Sequence, residues 1–240
     1  MLNIWGRITS LNVRKVVWCA QELGLDFQRT EAGGKFGVVR TPEYLALNPN
    51  ALVPMIDDGE GPDRMLLWES NVIVRYLCAK YDTPARAVAR AALPSESARL
   101  AWGGAVQRQP GTLYPEALPE RFDAERWMDW QQTTLNRASG GAFVQWVRTP
   151  PAERDTALIA QSVHATEPLF ALLDAQLATR PFICGDQFTM ADIPLGCEAH
   201  RWFGLPQTEY TRPAWPHVER WFGDLRTRAG ARGVLDLAVE

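Results

Sequence analysis

Residues 48–81, NPNALVPMIDDGEGPDRMLLWESNVIVRYLCAKY, constrain the fold more than any other stretch of the chain. The apolar residues fall in two short runs, 53–56 and 65–68, each too short for a helix, and a Gly/Pro/Asp cluster separates them. That is the pattern of a β-hairpin. After Trp68 the apolar spacing changes to that of a helix opening at Glu69-Ser70. Val53-Pro54 puts a proline at the mouth of the first strand, where the missing N–H removes no ladder bond and a cis X-Pro bond can serve a tight turn. At Glu69-Ser70 a carboxylate, a hydroxyl and the unpaired N–H groups of a first helical turn converge on one point. The acidic run 57–63 lacks EF-hand spacing, and hairpin-turn chemistry accounts for it without calcium.

Upstream, Leu2 to Trp5 reads as a short strand ending in Gly6. Val13, Val16, Val17, Ala20 and Leu23 then recur at helical spacing until Gly24, and 27–30 reads as a second strand. Residues 33–44, GGKFGVVRTPEY, lack the spacing of a phosphate loop and read as a connecting loop with a short helix. Strand-helix-strand followed by strand-strand-helix is a thioredoxin-like α/β arrangement. Past a linker at 82–86 the pattern becomes purely helical, with amphipathic stretches near 119–148, 153–179 and 215–226. Thr189-Met190-Ala191-Asp192 fits a helix N-cap with an acidic residue three positions on, flanked by Phe188 and Ile193 as a hydrophobic staple. The expectation is a thioredoxin-like domain over 1–82 and an all-helical bundle over 87–240, with an Ala/Arg-rich insert at about 86–112.

The order and spacing of NPN, Val53-Pro54, Glu69-Ser70 and the helical VIVRYL resemble the glutathione-binding half of the glutathione transferases, and FTMADIP resembles the capping box of their helical domain. The resemblance runs over roughly 1–82 and 114–240. It implies that the Val53 backbone, before a cis Pro54, pairs with the cysteinyl part of glutathione, while Glu69 and Ser70 hold its γ-glutamyl amine and carboxylate. It also implies a homodimer and a small electrophile as second substrate, as in detoxification. A glutathione-dependent disulfide reductase, or a non-catalytic binding or regulatory protein on the same fold, remains an alternative, because fold alone does not decide function.

Such an enzyme must hold a thiolate at neutral pH. Lowering a thiol from about 8.5 by two units requires ~2.7 kcal/mol of preferential thiolate stabilisation. A helix N-terminus supplies roughly 0.3–1 kcal/mol and a hydrogen bond to a charged group roughly 1.5–3 kcal/mol, so the two together suffice. Ser10, at the turn between strand and first helix, matches the serine of the serine-type enzymes; Asn12 is the next candidate and Thr9 the third. A plain helix cap is the competing role for Ser10. The first 40 residues contain no tyrosine and Cys19 lies inside the helix, so the tyrosine and cysteine types do not fit. Lys35 and Arg40 are candidates for the glycyl carboxylate of glutathione.

Charge excludes a polyanion-binding face, since basic and acidic residues number 9 and 10 over 1–82 and 16 and 18 over 83–240. No nucleic-acid partner is expected. No segment reaches the roughly 18 apolar residues of a membrane span, and no signal-peptide pattern opens the chain, so a cytoplasmic protein is expected. The four cysteines and three histidines are scattered without metal-ligand spacing. No metal is expected, and the cysteines are expected as buried free thiols.

Overall fold

The computed structural model describes residues 1–83, 112–206 and 210–240, so the insert expected at about 86–112 lies outside the described residues except for Thr112. The chain divides into two compact units, Met1–Glu116 with Arg228–Asp236, and Ala117–Thr227 with Leu237–Glu240.

In the first unit β1 (Leu2–Trp5), β2 (Phe27–Thr30), β3 (Met55–Asp58) and β4 (Met65–Trp68) form one mixed sheet in the order β2-β1-β3-β4. β1 runs parallel to β2 and antiparallel to β3, and β3 is antiparallel to β4. The expected strand at 53–56 is shifted by two residues. Pairing begins at Met55 because Pro54 has no N–H to give a ladder and the Val53-Pro54 bond is cis. Three helices complete the unit among its described residues: α1 (Leu11–Glu22), α2 (Pro42–Leu47) and α3 (Ser70–Tyr81). Val13, Val16, Val17 and Ala20 of α1 and Ile73, Val74 and Leu77 of α3 are buried with Ile4 and Ile56, which face each other across β1 and β3.

The far end of α3 is fixed to β3 through Asp58, which is buried and accepts hydrogen bonds from Tyr76 (2.7 Å), Lys80 (2.9 Å) and Tyr81 (2.8 Å). Burial alone would raise the Asp58 pKa, but these donors together outweigh it and hold the carboxyl below its usual range. The other end of α3 is thereby held at the edge of the sheet where β1 and β4 finish.

The second unit is helical. α4 (Leu118–Trp130) passes through a π-helical stretch, Gln131–Leu135, into α5 (Asn136–Phe143) and a second π-helical stretch, Val144–Arg148. After a short connection α6 (Thr156–Leu177) returns antiparallel, with Arg154 bonded to the Trp146 carbonyl (2.8 Å) and Ser162 to the Ala138 carbonyl. Trp127 and Trp130 meet edge to face at 5.3 Å. α7 (Asp192–Phe203) and α8 (Pro216–Thr227) follow. Glu198 of α7 is buried and receives Gln131 (2.8 Å), Ser139 (2.6 Å) and Arg201, which ties α7 to the first π-helical turn.

The helix expected to be capped by Thr189 begins two residues later, with Ala191 as its cap residue, because a tight turn from Thr189 carbonyl to Asp192 N–H (3.1 Å) comes first. The two side chains still bond reciprocally: Thr189 Oγ1 accepts the Ala191 N–H (3.3 Å) and Asp192 Oδ2 accepts the Thr189 N–H (2.9 Å). Asp192 does more than cap. Its Oδ1 also takes the Ile183 N–H (3.1 Å) and the Trp221 indole N–H (2.8 Å), joining α7 to the preceding loop and to α8. Asp192→Ala leaves three buried donors unpaired, so its cost should reach about 3 kcal/mol or more rather than the ~1 kcal/mol of an ordinary cap. Denaturant unfolding measures it, and a loss below about 1 kcal/mol would contradict the shared role.

Candidate functional site

The site is assembled where β1 hands over to α1. Gly6 adopts φ +149°, and a Cβ there would lie 2.4 Å from Val13 Cγ2 and 3.2 Å from Val53 Cβ, so a side chain cannot fit between α1 and the approach to β3. The loop that follows is pinned by Gly6 N–H to Thr30 carbonyl (2.8 Å), Arg7 N–H to Ala32 carbonyl (3.0 Å) and Ser10 N–H to Arg7 carbonyl (3.1 Å). Arg14, nearly fully buried, donates from Nε to the Ile8 carbonyl (3.0 Å) and from Nη1 to the Val234 carbonyl (2.8 Å). The loop therefore leans on the C-terminal segment. That segment is anchored in turn by a two-pronged bond from Arg228 to buried Glu22 (2.8 and 2.9 Å), which also receives the Trp18 indole (3.0 Å).

Ser10 occupies the cap position of α1 with extended backbone (φ −77°, ψ 124°), yet its hydroxyl makes no capping hydrogen bond. Its oxygen is thus not consumed by the helix start, where the first N–H groups also lack intrahelical partners. Two residues on, Asn12 Oδ1 accepts a hydrogen bond from Ser70 Oγ (3.2 Å). Ser70 is buried and opens α3, so this bond joins the first turns of two helices packed side by side. Glu69, which precedes it, is exposed and sits at φ +74°, ψ 107°, a backbone conformation that costs a non-glycine residue on the order of 1–3 kcal/mol. Such strain persists only where the surroundings impose it.

The approach to Val53 is held from below. Tyr44 Oη (2.6 Å) and Asn48 Nδ2 (2.9 Å) both donate to the Leu52 carbonyl, and Asn48 Oδ1 accepts the Asn50 N–H (3.0 Å). This gives the NPN triplet its role: Asn48 is buried and shapes the loop that delivers Val53 to the cis bond. Burial pushes the Tyr44 phenol above its usual range, so it stays protonated as a donor at neutral pH.

The candidates thus fall into two groups. Ser10, Asn12, Val53, Pro54, Glu69 and Ser70 gather at one end of the sheet, with Thr9 in the turn before Ser10. Lys35 and Arg40 stand exposed on the loop between β2 and α2, with the Lys35 ammonium 5.3 Å from the centre of the Phe36 ring. Two supporting residues were not singled out from sequence: Arg14, an arginine inside an apolar helical stripe, and Arg7, whose side chain lies against the Gly33-Gly34 turn. The signal for Arg7 was that glycine pair. Cys19, Cys78 and Cys197 are buried and free, with Cys19 and Cys78 sulfurs 3.6 Å apart. Burial, then the Asp192 charge, pushes the Cys184 thiol up to about 12. Among the described residues no group of His, Cys, Asp or Glu is arranged to hold a metal ion.

Comparison with known proteins agrees with this architecture. The family profile of the glutathione S-transferase N-terminal domain matches residues 9–80, and that of the C-terminal domain matches residues 156–224. The chain is 36% identical over 239 residues to glutathione S-transferase GstB of Escherichia coli strain K12, with both chains covered in full. It is 25% identical over 237 residues to glutathione S-transferase 4 of Zea mays, covering 97% of this chain and 91% of that one. Among solved structures it superposes with a TM-score of 0.81 and 42% identity on the theta class glutathione S-transferase of the citrus canker pathogen Xanthomonas axonopodis pv. citri with glutathione bound, covering 100% and 99% of the two chains. The chain belongs to the glutathione S-transferase family, with its thioredoxin-like half followed by its helical half.

Proposed function

We propose that this protein is a glutathione transferase of the serine type, in which Ser10 stabilises the sulfur of glutathione as a thiolate for attack on a small electrophile. The observation that supports this reading is the Ser10 hydroxyl, which stands at the head of α1 without the capping bond that would otherwise occupy it. A hydroxyl donating to the sulfur, with the α1 N–H groups beside it, supplies the ~2.7 kcal/mol that a two-unit shift requires. The thiol proton leaves to solvent, the thiolate sulfur bonds to the electrophilic centre, and the displaced group departs with its electron pair, or the adduct takes up a proton.

Val53 offers its backbone to the cysteinyl unit. Glu69 receives the γ-glutamyl ammonium, and Ser70 with the first N–H groups of α3 receives the γ-glutamyl carboxylate. Asn12, through its bond to Ser70, holds the sulfur end and the γ-glutamyl end in register. A protein cysteine as nucleophile is disfavoured, because Cys19 and Cys78 are buried in the core and the Cys184 thiol is held protonated. A cytoplasmic detoxification role suits this chemistry, and no helix among the described residues is long and apolar enough to cross a membrane.

Ser10→Ala should lower kcat about tenfold or more with little change in glutathione KM, and should move the acidic limb of the pH–rate profile upward. An unchanged profile would transfer the thiol contact to Asn12. The protein is further expected to act as a homodimer; sedimentation over a concentration series should give twice the 26.9 kDa chain mass, and a persistent monomer that still binds glutathione would refute it.

A further inference from the structure

We propose that Arg7 binds the glycyl carboxylate of glutathione and so selects the tripeptide over γ-glutamylcysteine. The inference rests on the reading above, in which Ser70 holds the γ-glutamyl end and Val53 the cysteinyl centre.

Three observations carry it. The first is the seat of the side chain. Gly33 and Gly34 have φ of +79° and +57°, and a Cβ on Gly34 would lie 3.2 Å from Arg7 Cζ and Nε and 3.3 Å from Cδ. A Cβ on Gly33 would lie 3.3 Å from Arg7 Nη1. The guanidinium therefore runs along the bare backbone of the glycine pair, a course that side chains there would crowd.

The second is where this seat lies. The same Cβ position on Gly33 is 3.3 Å from Val53 Cγ2, so the guanidinium tip and Val53 flank one point. Trp5 pairs with Thr30 and Met55, and Met55 pairs with Trp68. Counting two positions beyond these pairs, the order across the sheet end is Ala32, Arg7, Val53, Ser70, and the Arg7 N–H does bond to the Ala32 carbonyl. Val53 is thus flanked by Ser70 on one side and Arg7 on the other. A peptide centred on Val53 with its γ-glutamyl end at Ser70 has its glycine end directed toward Arg7.

The third is charge. Among the described residues no carboxylate forms an ion pair with Arg7. Glu31, the nearby acid, is taken by Arg29 at 2.7 Å. The hydrogen bond from Arg29 holds the Glu31 carboxyl below its usual range, and Arg7 adds only the weakest of the cationic pulls on it. A half-buried guanidinium, presenting parallel donors beside the ligand path, fits a terminal carboxylate as an exposed ammonium does not. Lys35 and Arg40 are both exposed.

Calorimetric titration of the full-length protein with glutathione and with γ-glutamylcysteine decides the matter. The wild type should bind glutathione about tenfold or more tightly than the dipeptide. Arg7→Gln should lose that factor for glutathione and keep wild-type affinity for the dipeptide, and the retained dipeptide binding shows that the fold is intact. Arg7→Lys should recover part of the preference. Equal weakening of both ligands would mean that Arg7 only shapes the glycine turn, and the proposal would fall. It would also fall if the preference survived Arg7→Gln but vanished in Lys35→Gln or Arg40→Gln. A wild type that binds neither ligand would overturn the reading of the whole site along with it.

Discussion

One hydrogen bond, from Ser70 to Asn12, joins the first turns of α1 and α3 and brings two helix N-termini to one end of the sheet. Each N-terminus carries a partial positive charge and unpaired N–H groups, so the place where they meet favours anions before any side chain is considered. The rest of the first unit serves to hold these two helix starts together. The Asp58 cluster fixes the far end of α3 to β3, while Glu22, Arg228 and Trp18 fix the far end of α1. Gly6 lets α1 and Val53 close on the end of β1.

The magnitudes decide how such a site must work. A helix terminus alone gives too little to ionise a thiol at neutral pH, and a single hydroxyl in open water gives too little as well. Both must point at one atom from a fixed distance, and that requirement explains why a short loop receives so many restraints. Arg14 reaches the Ile8 carbonyl and a segment more than two hundred residues away in sequence, so the C-terminus helps set the position of the Ser10 turn. Glu69 is held in a disfavoured backbone conformation at the same place, and local strain of this kind is concentrated where binding needs it.

Much of this was legible from residue order. The runs at 2–5, 27–30 and 65–68 form the strands at those bounds, because alternating apolar residues with Gly and Pro punctuation leave little choice of period. The strand at 53–56 moved to Met55–Asp58, since apolar character alone does not register the loss of pairing at a cis proline. Thr189 and Asp192 were readable as a box, but the reach of Asp192 to Trp221 spans twenty-nine residues, and no local pattern encodes it. Arg7 and Arg14 escaped notice for a related reason. Each acts through contacts with backbone carbonyls or glycines, and such partners leave no residue-type signature to pair them with. The glycine pair 33–34 marked a turn; what lies across it became visible only in three dimensions.

The central claim is that the convergent helix starts and the Ser10 hydroxyl ionise the thiol of bound glutathione. Ultraviolet absorbance of the thiolate, titrated against pH with the wild-type protein saturated by glutathione, tests it directly. The account predicts half-ionisation near pH 6.5, about two units below the roughly 8.5 of a free thiol. A bound thiol that titrates at about 8.5 would contradict it.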